Sequence, residues 1–200
     1  MTTGPVPVYA PGVRIRDMTA DDCEAVAAIR VRGWQSAYRG IVPQPYLDAM
    51  DVAEETERRR GRLARGGGVT NLVALAPDSA VTGWACYGPR RDGQPGDAEL
   101  YAIYVLPGRT GTGVGRALMA EGTARAGAAG HLSHQSAAMV LWVLTENAPA
   151  RRFYERAGFR PDGATNSFDI LGTPVPEVRY ARALPAASAP GAAVRRPAAD

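Results

Sequence analysis

Between Arg109 and Leu118 the chain reads RTGTGVGRAL, directly after the strand-like LYAIYVLP (Leu100 to Pro107) and at the opening of a helix-like ALMAEGTARAGAAG (Ala117 to Gly130). A strand, a glycine turn and a helix in this order predict a pyrophosphate cradle. Glycine lets the main chain come close to an anion, and the first N–H groups of a helix point outward along a favourable dipole. Two common nucleotide loops are disfavoured. The dinucleotide pattern G-x-G-x-x-G fails because its third position, counted from Gly111, falls on Arg116. A P-loop needs a lysine, and the 23 basic residues of this chain are all arginine. Taken alone, the loop also suits a helix start that merely needs a supple backbone.

The bulk composition narrows the classes. Two hundred residues with 46% hydrophobic content can bury a real core. The net charge is +3, but the tail from Arg182 to Asp200 holds three arginines against one aspartate, which leaves the body near neutral. No clustered basic face of the kind a nucleic-acid binder needs is read from the sequence, so no nucleic-acid partner is expected. Cys23 and Cys86 are the only cysteines and are expected to be reduced and buried. The N-terminus has neither a basic region nor a long apolar run, and AAMVLWVL (Ala137 to Leu144) is too short to span a bilayer. A cytoplasmic protein without a membrane partner follows as the expectation. His131 and His134 lie in a polar stretch with no cysteine or close carboxylate, so no metal is expected. The absence of lysine and the Ala, Gly and Pro load suggest a GC-rich coding genome.

The elements that must position the loop can be read from periodicity and punctuation. Residues 1–12 read as a flexible Pro-rich terminus, and Pro185 onward as a disordered Ala/Pro tail. Val13 to Arg16 alternates as a short strand. Thr19 with Asp22 resembles a capping box before a helix whose C-terminal end Gly33 obscures. A helical turn follows Pro43 and Pro45. The helix from Val52 to about Ala64 carries Glu54–Arg58 and Glu55–Arg59 pairs, read as a solvated face. Strands are predicted over Thr70 to Ala76, Val81 to Tyr87, Ala98 to Leu106 and Met139 to Leu144. A helix from about Pro149 to Ala157 precedes two last strands, Phe168 to Leu171 and Glu177 to Arg182. The unit spanning residues 98 to 144 should be a parallel crossover. The fold class expected is α/β (α+β): one mixed, mostly antiparallel central sheet of about six to seven strands flanked by helices.

With its surroundings, the loop resembles a known family. TGTGVG (Thr110 to Gly115), between YAIYVLP and RALM, is similar to the R/Q-x-x-G-x-G/A motif of the GCN5-related N-acetyltransferases. NAPARRFYERAGF (Asn147 to Phe159) resembles their N-x-x-x-x-x-F-Y-x-x-x-G-F motif. WQSAYRGIVPQPYL (Trp34 to Leu47) is similar to a subgroup of uncharacterised bacterial members. The resemblance covers residues 13–184 and implies an acyl-CoA N-acyltransferase-like domain with acetyl-CoA as cofactor. One position departs: Thr110 stands where the motif has Arg or Gln. The backbone cradle survives this change, with Arg109 or Arg116 as sources of charge.

The resemblance implies direct attack of a neutral amine on the thioester. The cofactor-binding residues it implies are Ile103, Tyr104, Val105, Arg109, Thr110, Gly111, Thr112, Gly113, Val114, Gly115, Arg116 and Asn147, the backbone of Ile103 to Val105 doubling as oxyanion donor. Tyr154, seven residues after Asn147, matches the family's tyrosine and would protonate the leaving thiolate; on spacing alone it could equally be a core aromatic. Asn147 also suits a helix N-cap. Glu99, on the strand leading to the loop, is the carboxylate expected to accept the amine proton, with Glu146 and Tyr101 competing. Trp142 occupies the place of a glutamate in ribosomal-protein acetylating relatives, so their base does not carry over. Trp34, Tyr38, Tyr101 and Tyr104 are candidates for the acceptor pocket. The expected acceptor is a small-molecule amine. A protein N-terminus or lysine, and a non-catalytic acyl-CoA-binding module, are the alternatives. A homodimer is compatible with the resemblance, although no segment encodes an interface.

Overall fold

The computed structural model describes residues 12–94, 96–128 and 137–184. The N-terminal stretch before Gly12, His131 and His134, and the Ala/Pro tail lie outside the described residues. In chain order the elements are β1 (Arg14–Asp17), α1 (Cys23–Ala37), α2 (Gln44–Asp48), α3 (Val52–Arg65), β2 (Thr70–Leu75), β3 (Val81–Pro89) and β4 (Ala98–Val105). Then follow α4 (Val114–Gly127), β5 (Ala138–Leu144), α5 (Ala148–Arg156), β6 (Arg160–Ile170) and β7 (Thr173–Ala183). The strands form one seven-stranded sheet in the order β1-β2-β3-β4-β5-β7-β6. All neighbours run antiparallel except β4 and β5, which are parallel as the crossover rule predicts. No helix among the described residues is long and apolar enough to cross a membrane.

Side-chain alternation divides the core into layers. Leu72 and Ala74 of β2, with Ala85 and Tyr87 of β3, face α4 through Val114, Leu118 and Met119. Val73 and Leu75, with Trp84 and Cys86, face α1 through Cys23 and Val26. A third cluster, Val42, Leu47, Leu144, Ile170 and Val175, ties α2 to the far ends of β5, β6 and β7. Both cysteines are free and buried, as expected, and burial pushes the Cys86 thiol up to about 12.

Several boundaries differ from the sequence reading for physical reasons. Gly33 does not end the first helix but lies inside α1, where that helix crosses β4: a Cβ there would stand 2.9 Å from Tyr104 Cδ1. α4 begins at Val114, because Gly113 takes a left-handed φ of 91° and serves as its N-cap. β6 is far longer than predicted. It is an edge strand with mostly exposed side chains, so PDGATNS carries no hydrophobic signal. β7 begins four residues early, at Thr173 rather than Glu177. Its two prolines pair with β6 but lie beyond the reach of β5, whose pairing starts at Glu177. The Glu55–Arg59 pair is not solvated: Glu55 is 2% exposed and Arg59 is 4% exposed. Glu54–Arg58, one residue over, is the exposed pair expected.

Candidate active site

The glycine loop presents an uninterrupted set of donors. Arg109 N–H and Thr110 N–H close turns onto Leu106 and Pro107, and the next amide with a backbone acceptor is Ala117, bonded to Gly113 at 2.9 Å. The six intervening amides, 111 to 116, donate to no backbone acceptor among the described residues. The local sequence explains this. Gly111 (φ 77°) and Gly113 (φ 91°) take conformations that L side chains resist, so the chain turns without the regular hydrogen bonding of a strand or helix. The Thr110 and Thr112 hydroxyls donate back to Pro107 O (2.9 Å) and Arg109 O (2.6 Å), bracing the turn without occupying an amide. Arg109 also lines a depression of about 650 Å³ between α1 and the loop, opposite Arg32 and Arg39. Arg116 is exposed on the first turn of α4.

Beside this loop the sheet splits. β4 pairs with β5 only from Ala98 to Leu100, opposite Met139 to Leu141, and both strands then continue without each other. Leu106 N–H bonds Thr82 O on β3 at 2.9 Å. By alternation the Tyr104 amide also faces β3, and the Ile103 and Val105 amides face the open gap. Of the three amides expected to serve as donors, two are therefore directed into the split and Tyr104 is not. A β-bulge at Tyr101 sharpens the divergence: Leu100 and Ala102 pair with consecutive residues of β3, leaving Tyr101 extra.

A cavity of about 280 Å³ sits in the split. Its walls include Ile103 and Tyr104 of β4, Trp142 of β5, Tyr154 of α5, and Trp34 and Tyr38 of α1. The expected pocket residues Trp34, Tyr38 and Tyr101 all line it. The Tyr38 and Tyr104 hydroxyls lie 3.2 Å apart, and Trp34 meets Tyr38 edge to face with centroids 4.8 Å apart. Burial pushes the Tyr38 phenol up to about 12 and also raises Tyr104 well above the ordinary phenol range. Tyr154 is 9% exposed, packs edge-on to Phe153 and Phe159, and has its pKa raised by burial and then by Tyr104. Phe153 packs on the core and stands near Gly115 and the loop.

The carboxylates are arranged differently from the sequence reading. Glu99 is 3% exposed, lies where β4 is still paired with β5, and does not line this cavity. Its oxygens accept from the Arg91 backbone N–H (2.9 Å), from Arg91 Nε (2.7 Å) and from the Arg91 terminal amine. Glu146 is exposed ahead of α5, and the Tyr101 hydroxyl donates to Pro89 O. The one carboxylate among the lining residues is Glu177 of β7, which sequence reasoning missed. It is paired in register with Leu144 on the β7 side of β5, and burial raises its pKa while Arg91 opposes the rise. No signal in the segment PVPEVRY marks it. Asn147 caps α5, its Oδ1 accepting from Ala150 N at 3.2 Å, and is buried.

Comparison with known proteins agrees with this fold. The family model described as Acetyltransferase (GNAT) family matches residues 31–159. The uncharacterised N-acetyltransferase YuaI of Bacillus subtilis is 34% identical over 168 residues, covering 83% of this chain and 90% of its own. Among solved structures, PaiA N-acetyltransferase from Thermoplasma acidophilum in complex with coenzyme A superposes with a TM-score of 0.63 at 21% identity, over 86% of this chain and 98% of that one. yncA from Salmonella typhimurium, solved with its cofactor acetyl-CoA, gives a TM-score of 0.60 at 22% identity, over 90% and 99%.

Proposed function

The chain belongs to the acetyltransferase (GNAT) family, and from that premise we propose that it transfers an acetyl group from acetyl-CoA to the primary amine of a small molecule. One conjunction carries the reading: six acceptor-free amides stand beside a strand split that ends in an aromatic cavity. The residues present fit the donor. Amides 111 to 116 suit a diphosphate, Arg109 with Arg32 and Arg39 adds positive charge beside them, and the β4–β5 gap takes an extended arm. When bound, acetyl-CoA supplies the acyl group activated as a thioester.

The chain's own groups then have distinct tasks. Ile103 and Val105 aim amides into the gap, and preorganised donors of this kind are worth about 3–4 kcal/mol. Tyr154 keeps its proton throughout the neutral range, because burial raises its pKa, and holds it ready for a departing thiolate. Glu177 accepts the amine proton, directly or through water, and its raised pKa improves it as a base near neutral pH. Glu99 acts through Arg91, which it holds at the cavity wall. Closure of that cavity by Trp34, Tyr38 and Trp142 favours a small acceptor over a peptide.

Free-thiol release from acetyl-CoA across a panel of amines tests the activity, and no release with any amine overturns it. A Tyr154→Phe change should lower kcat at saturating substrates by about 100-fold, within the range for a lost general acid. Full rate in that variant across pH removes the assignment. The kcat/KM of the native enzyme should rise with pH as Glu177 ionises, at a pH above the usual carboxylate range, and Glu177→Gln should flatten that limb.

A further inference from the structure

A second, larger chamber of about 510 Å³ adjoins the cavity and shares Trp34, Arg91, Tyr101, Ala102 and Tyr104 with it. Its volume falls in the range of roughly 300–1,000 Å³ typical of small-molecule sites. Five arginines line it, Arg30, Arg59, Arg62, Arg65 and Arg91, and no aspartate or glutamate does. Two carboxylates compensate them from outside the lining. Glu55 accepts from Arg30 (3.2 Å) and Arg59 (2.7 Å), and is shared with Arg58; Glu99 holds Arg91. Arg62 and Arg65 have no carboxylate partner among the described residues. Arg59 is 4% exposed, stacks over Trp84 with its guanidinium carbon 4.0 Å from the ring centroid, and its buried Nε has no hydrogen-bond partner. A buried donor without an acceptor is destabilising, and an excess of guanidinium groups in a concave, aromatic-walled space is a site for an anion.

We infer that the acceptor is a small amine carrying a carboxylate or phosphonate-type anion at its other end. The anion occupies the arginine chamber, while the amine reaches Tyr154 and Glu177 in the adjoining cavity. This rests on the acetyl-transfer reading and adds to it the substrate class. Arg62 and Arg65 are the specificity-determining residues: both line the chamber, and neither is buried. Arg59 is held by Glu55 and Trp84 as the fixed wall.

The test uses matched pairs: 4-aminobutyrate against butylamine, and 3-aminopropylphosphonate against propylamine, scored by thiol release. The anionic member of each pair should have a kcat/KM at least ten-fold higher, chiefly through KM, and the advantage should shrink with added salt. Arg62→Gln combined with Arg65→Gln should remove most of the advantage. Arg60→Gln, on the same helix but paired with Glu57 outside the chamber, should preserve it. Equal kcat/KM within the pairs, or an advantage that the double variant leaves intact, overturns the inference. So does a peptide with an acidic side chain that outperforms both anionic amines. If no amine is turned over, the acetyl-transfer reading fails separately. Tryptophan fluorescence then decides the chamber, because Trp34 and Trp84 line it. Saturable quenching by 3-aminopropylphosphonate that the double variant loses upholds the anion site, and no saturation removes it.

Discussion

Two regions of this molecule gather donors of positive character, and they are built in opposite ways. The loop of residues 109–116 is one contiguous segment whose donors are main-chain amides. The chamber draws guanidinium groups from α1, α3 and the connection after β3, at positions scattered between 30 and 91. Amides at a helix start are unpaired in any helix, so the loop needs only glycines to expose them. Guanidinium groups brought together repel and lose water, so the chamber needs Glu55, Glu99 and Trp84 to hold its members in place. The first device suits a ligand common to many proteins, and the second distinguishes one acceptor from another.

The contrast implies that the chamber, unlike the loop, depends on a buried counter-charge. Glu55→Gln should therefore have the largest effect on stability. It leaves Arg59 buried without a full negative partner, and removing one member of such a pair costs about 3 kcal/mol. Glu54→Gln, whose pair with Arg58 is exposed, should stay within about 0.5 kcal/mol. Urea denaturation of both variants checks the difference. Equal losses would mean that the chamber wall does not rest on Glu55.

The same contrast governs what the sequence revealed. The free amides of the loop were legible because glycine spacing, the preceding strand and the following helix are all local, and the positions of Tyr154 at the cavity and Asn147 at the start of α5 followed from one motif. The mixed sheet followed from alternation and the βαβ spacing. Glu177 was not legible, because its approach to the cavity depends on β7 inserting between β5 and β6. Glu99 looked available because its strand is adjacent to the loop, but the Arg91 ion pair arises from a turn eight residues earlier. The arginine chamber was hidden for the same reason. Glu55 and Arg59 have the spacing of an ordinary surface pair, and only the packing of α3 against α1 and β3 buries them. The sheet-edge strand β6 was missed because exposed strands need no apolar alternation.

A strike at the loop should be indifferent to the acceptor. Gly113 sits at φ 91°, and a β-branched residue there carries about 1–2 kcal/mol of strain before any amide is shielded. Gly113→Val should lower kcat/KM for acetyl-CoA by about 30-fold, equivalent to about 2 kcal/mol. It should do so by the same factor with 4-aminobutyrate and butylamine as co-substrates, leaving their ratio unchanged. A change in that ratio would mean that the loop also reads the acceptor, and the division of labour between the two regions would fail.

The smallest effect is expected where this chain departs from the family pattern. Thr110 replaces the usual Arg or Gln, yet its hydroxyl is turned back onto Pro107 O and the amides of 111 to 116 stand free without its help. If the cradle is a main-chain device, Thr110→Gln removes one exposed hydrogen bond, worth about 0.5 kcal/mol, and should shift the KM for acetyl-CoA by less than about three-fold. Initial-rate kinetics at fixed acceptor concentration resolve a shift of that size. A KM lowered ten-fold or more would mean that a side chain at this position can add what six amides and the nearby Arg109 do not. The loop would then share the side-chain logic of the chamber, and its indifference to sequence at position 110 would be lost.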